Sequence, residues 1–398
     1  MALIALGIGA VIGSGIFTVV GTAIAGETLT VESVWHAPLL EYLLYRSPTF
    51  GRPGAGPAIA LSFLLVAIAC GFAALCYAEL ASTIPVAGSA YTYAYATLGE
   101  LIAWIIGWDL ILEYAVSNMA VSVGFSAHLA NLLQWFGIDL PLALSFPAYM
   151  PSGLTNEAGR EIFAPGWHLG FNLPAFLVVM ILTVVLVRGI RESSRTNTVM
   201  VLVKIGAILV FLVAAARFIN PANYHPFFPN GFGGVLTGGA IIFFTYIGFD
   251  SVSTAAEETR NPARNMPIGI LGTLAVTTVL YIAVVVVLTG VVPWTELRNA
   301  APVAYALTAL GLDWVRFAVV LGAIVGMVSS LLVFQLGQSR IWFAMSRDGL
   351  LPKPFGRVHP RFRTPHVATW IAGIVVAGGA GLLDIGTVAE LSNIGTLF

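Results

Sequence analysis

LGIGAVIGSGIF, Leu6 to Phe17, lies inside an apolar run from about Leu3 to Ala25. Gly7, Gly9, Gly13, Gly15, Gly21 and Ser14 fall in or beside it. A helix in lipid must satisfy its own main-chain hydrogen bonds. Irregular backbone at membrane depth therefore survives only where protein or a cavity covers it. A glycine-interrupted span of this kind points to the binding site of a secondary transporter. A second interruption, Phe243-Phe244-Thr245-Tyr246-Ile247-Gly248-Phe249-Asp250, falls in the middle of another apolar run. The two open what read as two halves of the chain.

Composition sets the class. Of 398 residues, 58% are hydrophobic and 9% charged, and the mean hydropathy is +0.91. Soluble domains carry roughly 25% charged residues, so the chain reads as an all-α polytopic membrane protein. A net charge of −1 gives no hint of nucleic-acid binding. Cys70 and Cys76 share one apolar span and do not face each other on a helix, so they read as small buried hydrophobes. The first apolar run has no basic segment before it and is too long for a signal-peptide core. Met1 abuts the first span and Phe398 falls within an apolar stretch beginning near Val388, so both ends read as cut.

With about 20 apolar residues per span, nine spans are expected near 3–25, 57–80, 100–128, 172–188, 196–218, 234–256, 267–292, 314–343 and 366–384, with a tenth starting near 387 and cut off. The connections 26–56, 137–171 and 293–313 are rich in Pro, Gly and aromatics. Arg188, Arg191, Arg195, Arg260, Arg264, Arg340, Arg347, Lys353, Arg357, Arg361 and Arg363 fall on or beside those at 188–195, 257–266 and 344–365. The basic set is expected in the cytoplasm and the protein in the cell (plasma or inner) membrane. Span one then runs outward and span six inward. Five spans per half, an odd number, make the second half an inverted copy of the first. The expectation is one transmembrane domain over 1–398, with residues 1–218 as the first repeat and 219–398 as the second, incomplete one.

Several residues carry candidate chemistry. Unwinding at Gly13, Ser14 and Gly15 exposes N–H groups at the start of an outer half-helix, where partial positive charge favours a carboxylate. The carbonyls of Val11 and Ile12 suit an ammonium. Close packing through small residues is the competing reading of the same glycines. Phe244, Thr245, Ile247 and Gly248 form the partner break, whose carbonyls also suit an ammonium and whose aromatic side chain suits a gate. Lys204 is the lysine within a span, and an intramembrane ionisable residue is a functional hypothesis by default. It reads as a proton carrier, with snorkelling to the interface as the alternative. Asp109 and Glu113 share a face of span three. Glu113 reads as a partner for Lys204, a second proton-coupling residue or a structural pair. Asp250 reads as a helix cap, and Glu79 as a tie for a loop. Ser329, Ser330, Gln335, Gly337 and Gln338 in span eight read mainly as links between helices. His36, His168, His225, His359 and His366 lack metal-ligand spacing. A phosphate-binding loop and a nucleophile elbow are both absent from the sequence, which argues against an ATP-driven pump and a hydrolase. No cofactor is expected. The expected partners are a small amino acid, protons and the bilayer.

GIGAVIGSGIF, PVAGSAYTYAYATLGE (Pro85 to Glu100), FFTYIGFDSVSTAAEETRNPARNMPIGI (Phe243 to Ile270) and GQSRIWFAMSRDGLLP (Gly337 to Pro352) together resemble the amino acid–polyamine–organocation superfamily. Within it the chain looks most like the bacterial form of the cationic amino acid transporter family. The resemblance covers essentially the whole chain. It implies an inverted five-plus-five helix fold with the first and sixth helices broken, and further helices after the tenth. It implies a carboxylate site at Gly13, Ser14 and Gly15, and amino-group carbonyls at Val11, Phe244 and Ile247. Lys204 matches a fifth-span lysine that replaces a sodium ion in proton-coupled members. The resemblance leaves cationic and neutral substrates open. The function expected is amino-acid permeation by alternating access, as a proton-coupled symporter. An exchanger and a transport-inactive sensor on the same fold are the alternatives.

Overall fold

The computed structural model describes residues 2–30, 49–84, 86, 88–150, 154–155, 161–163, 166–189, 194–299, 301–384, 388 and 391–392. These are overwhelmingly helical. Strands occur among them only as short antiparallel pairs, as where β1 (Gly26–Thr30) meets β2 (Thr49–Pro53) after the first span.

The first span is discontinuous. α1 (Ala2–Val11) stops, a wide turn of helix covers Gly15–Val19, and α2 (Val20–Ala25) completes the run. α3 (Ile59–Thr83) is the second span. A separate short helix, α4 (Ala90–Leu98), precedes α5 (Glu100–Trp135), which runs about two turns beyond the third expected span. α6 (Leu173–Val187) and α7 (Ser194–Ala215) follow. α8 (Gly231–Ile242) gives way to tight turns at Phe243–Tyr246 and Phe249–Glu258. α9 (Pro262–Val291), the short α10 (Pro302–Ala309), α11 (Asp313–Arg347) and α12 (His366–Leu382) complete the described chain.

Among the described residues, seven helical stretches are long and apolar enough to cross a membrane. α6 and α12, of 15 and 17 residues, are apolar but shorter, and occupy the places of the fourth and ninth expected spans. The tenth expected span lies outside the described residues apart from Val388, Leu391 and Ser392. So do parts of the basic connection 188–195.

The helices pack in a recognisable order. α5 lies against α11, α3 against α9, and α6 against α12. α1 packs on α9, and α8 packs on α3. Lipid tails are as apolar as leucine, so the fit between backbones drives helix association in a membrane. Small residues accordingly sit at the crossings. Gly322 of α11 faces Ala207 of α7, Gly337 of α11 faces the Tyr114 ring of α5, and Gly373 of α12 faces Thr183 of α6. Leu64, Ile68, Phe72 and Leu75 of α3, with Val279 of α9 and Ile374 of α12, turn outward and are exposed. This is the outward apolar surface a bilayer requires. α4 is tied to the end of α11 by the Tyr91 hydroxyl, which donates to Asp348 Oδ2 at 2.9 Å. Burial, then the Asp348 carboxylate, push the Tyr91 phenol well above its usual range, so it stays a donor.

Candidate functional site

The first break begins where a regular bond is missed. Ile12 N–H still reaches the Ile8 carbonyl at 3.1 Å, but Gly13 N–H turns to the Val11 carbonyl at 2.9 Å. The Gly9 carbonyl therefore loses the donor that a continuous helix would supply four residues on. Lys204 Nζ of α7 takes its place, donating to Gly9 O at 2.8 Å and to Ile12 O at 2.9 Å. Ser330 Oγ of α11 lies 2.8 Å and 3.2 Å from the same two oxygens. Lys204 is fully buried, and its aliphatic stem lies against Gly326 of α11. Both described bonds of its ammonium go to main-chain dipoles. That arrangement replaces snorkelling, which would have left the lysine partly in water.

Beyond the break, Ser14 stands before the wide turn with its hydroxyl capping nothing. Its Oγ is buried without a partner among the described residues, and so is Thr18 Oγ1 one turn on. The first N–H groups of a helix have no acceptor within it. Buried polar atoms of this kind cost free energy unless something bonds to them.

The second break is a type II turn. Ile247 has φ −55° and ψ 135°, and Gly248 has φ 110° and ψ −8°. That turn needs a positive φ at its second central residue, which glycine supplies without strain. The segment beyond it stays tightly wound because hydroxyls compete for main-chain oxygens. Ser251 Oγ donates to Gly248 O at 2.5 Å, Ser253 Oγ to Asp250 O at 2.5 Å, and Thr254 Oγ1 to Ser251 O at 2.7 Å. Phe244, Thr245, Ile247 and Gly248 are all buried.

The two breaks lie against each other. A methyl added at Gly15 would come within 2.8 Å of the Thr245 Cα, and one at Gly248 within 3.0 Å of the Ala10 Cβ. Tyr281 of α9 spans both, its hydroxyl 2.8 Å from Val11 O and 3.1 Å from Thr245 O. Tyr281 was not singled out in the sequence, where one tyrosine in an apolar span resembles any other.

Some expectations change. The carbonyls of Val11 and Ile12, expected for an ammonium, already accept from Gly13 N–H and Tyr281, and from Lys204 and Ser330. The Phe244 carbonyl accepts from Ile247 N–H at 3.3 Å, while the Ile247 carbonyl accepts none of the described hydrogen bonds. Glu113 is buried within electrostatic reach of Tyr77 and Tyr114, the same two tyrosines that the Asp250 charge reaches. Asp250 does more than cap its turn, where the main-chain N–H groups of Asp250 and Ser251 face its carboxylate. Its carboxylate accepts from the Tyr114 hydroxyl of α5 and from Ser89 Oγ at 3.3 Å, linking the second break to the segment before α4. Of the polar set on α11, Ser329 donates to Asn197 Oδ1, Gln335 to Thr183 Oγ1 and Gln338 to Ile111 O, all helix-to-helix links. Among the described residues no group of three His, Cys, Asp or Glu side chains is placed to hold a metal ion.

A bundle of apolar helices whose two broken members cross, with a buried lysine on the freed carbonyls, defines a multi-pass membrane transporter. The amino acid permease family model matches residues 1–398, and the chain belongs to that family. It is 45% identical to the methylthioribose transporter of Bacillus subtilis strain 168 over 394 residues, which is 98% of this chain and 76% of that protein. It is equally similar, 45% over 397 residues, to the branched-chain amino acid permease BcaP of the same strain, with 98% and 76% covered. It is 39% identical over 396 residues to the chloroplastic cationic amino acid transporter 9 of Arabidopsis thaliana, covering 99% of this chain and 63% of the plant protein. The chain is thus an amino acid transporter of the cell membrane, and not an enzyme.

Proposed function

We propose that the protein carries a zwitterionic α-amino acid by alternating access on an inverted five-plus-five repeat, in symport with protons. The crossed breaks carry this reading. The substrate carboxylate sits on the N–H groups of Ser14, Gly15 and Ile16, with the unpartnered Ser14 hydroxyl as a further donor. Its ammonium is held by the second break, through the carbonyls of Ile247 and Phe244. Val11, Ile12, Gly13, Thr245 and Gly248 shape the site and do not themselves ligate the substrate in this state. The competing demand of Tyr281 and Lys204 on the Val11 and Ile12 carbonyls supports that division.

The packing order supports the inverted repeat. A two-fold exchange of halves maps span one on span seven to span six on span two, which are the contacts of α1 with α9 and of α8 with α3. It pairs the second, third and fourth spans with the seventh, eighth and ninth, as α3–α9, α5–α11 and α6–α12 do. The basic connections 188–195, 257–266 and 344–365 then lie in the cytoplasm.

Coupling rests on Lys204. Protonated, it holds the Gly9 and Ile12 carbonyls and fixes the first break in one arrangement. Deprotonated, it loses the charge that makes those bonds strong and favours another. A proton shifts the balance only by its differential affinity for the two states. Glu113, grouped with Asp250, is the second candidate carrier. Reconstituted in liposomes, the protein should accumulate a neutral amino acid when the lumen is made alkaline, and stop when the gradient is collapsed. Counterflow that proceeds equally well without a pH gradient, with no gradient-driven accumulation, would make it an exchanger instead.

A further inference from the structure

Asn118 stands in the middle of α5, fully buried, and neither its Oδ1 nor its Nδ2 has a partner among the described residues. A buried carboxamide left without partners keeps the full cost of leaving water, so one held in the middle of a span calls for a reason. Its place on the helix supplies one. Tyr114, one turn before it, reaches Asp250 at the second break and stacks edge-on to Phe334 of α11 at 5.7 Å between ring centres. Val121, almost one turn after it, lies against Gly13 of the first break, its Cγ2 3.5 Å from where a Cβ would stand. Residues at i, i+4 and i+7 share one helix face. Asn118 therefore projects between those two contacts, toward the region where both breaks meet α5 and α11. Phe334 borders the same region, close against Gly248.

We propose that the Asn118 carboxamide reads the substrate's side chain, and that it selects α-amino acids bearing a hydroxyl or carboxamide over those with a plain aliphatic chain. The inference rests on the reading above, in which the two breaks hold the carboxylate and the ammonium. With both main-chain groups turned to the breaks, the remaining substituent on Cα faces α5 and α11. Asn118 supplies one acceptor and two donors there, with the Phe334 and Tyr114 rings beside it. A site that offers buried polar atoms discriminates against ligands that leave them unbonded.

The test compares the purified full chain with its Asn118→Leu variant, by ligand-induced thermal shift and by competition for uptake. Serine, threonine and asparagine are set against alanine and valine. The parent should favour the first group. Asn118→Leu should weaken that group about tenfold while leaving alanine and valine unchanged or tighter. The ligand-free variant should melt at or above the parent's temperature, because an unbonded carboxamide has been replaced by an apolar side chain of similar size. Should leucine prove too wide, Asn118→Ala carries the same expectation for the ratio between the groups. An equal loss for every amino acid, an unchanged ratio, or a ligand-free variant that melts lower with binding intact would each overturn the assignment. A parent that binds no amino acid, with Gly15→Ala also without effect on uptake, would instead overturn the underlying placement of the substrate.

Discussion

At Gly15 a single methyl has nowhere to go. Its Cβ would stand 2.7 Å from Thr245 Cγ2 and 2.8 Å from Thr245 Cα, and a main-chain neighbour cannot swing aside. Gly15→Ala should therefore push the two breaks apart, lowering the melting temperature by several degrees and abolishing uptake. Overpacking of this kind costs about 1–3 kcal/mol. Thermal unfolding and liposome uptake measured together check it, and normal values of both would mean the breaks do not meet as described. Lys204→Ala separates coupling from binding. Ser330 remains on the Gly9 and Ile12 carbonyls, so amino-acid binding and exchange should persist while uptake loses its dependence on pH. A variant that still concentrates substrate under a proton gradient as the parent does would leave the lysine structural and move attention to Glu113. The sequence singled out Gly15 as a place of close approach but did not name Thr245, since a glycine signals close approach without saying what approaches. It also singled out Lys204, because a lysine inside a span is rare. Tyr281 and Asn118 drew no notice, because their meaning lies in which helix stands opposite.

The elements that matter most are the two that fail to be regular helices. In the second break the type II turn depends on Gly248 at φ 110°. A residue with a Cβ there is strained by about 1–3 kcal/mol, and its methyl would also press on Ala10 Cβ at 3.0 Å and Phe334 Cζ at 3.2 Å. Gly248→Ala should lower the melting temperature and uptake together. Ala10→Gly in the same chain should recover part of the loss, the steric part against α1, and leave the backbone strain. Strict additivity of the two changes in thermal unfolding would show that the breaks are not in contact. The first break was legible from its cluster of glycines. The second rests on one glycine, and gained weight only from its position in the matching half. The tight winding over Phe249–Glu258 was hidden, because serine and threonine do not announce whether their hydroxyls will turn back on the main chain.

For the molecule as a whole, the open count is how many helices cross. α6 has 15 residues, about 22 Å at 1.5 Å per residue, against a hydrocarbon layer of roughly 30 Å. Its pairing with α12, another short helix, is what a two-fold exchange of the fourth and ninth spans demands. A short span is accommodated by local thinning or by flanking residues that reach the interface, at modest cost. Arg188 directly follows α6 and is exposed, as such an anchor would be. The question reduces to parity. Between the exposed Ile138, just after α5, and the exposed Arg357, just before α12, lie α6, α7, the broken sixth span, α9 and α11. If all five cross, the two positions face opposite sides, and if α6 lies on one surface they face the same side. Single cysteines made by Ile138→Cys and Arg357→Cys, with Cys70 and Cys76 replaced by serine, can be probed with a membrane-impermeant maleimide. The cysteine at 138 should react in intact cells, and the one at 357 only after the membrane is opened. Labelling of both from one side would remove α6 from the count of spans, and with it the odd number per half that inverts the second repeat. The reverse pattern would keep the repeat but turn the whole protein over, against the basic loops that set its orientation.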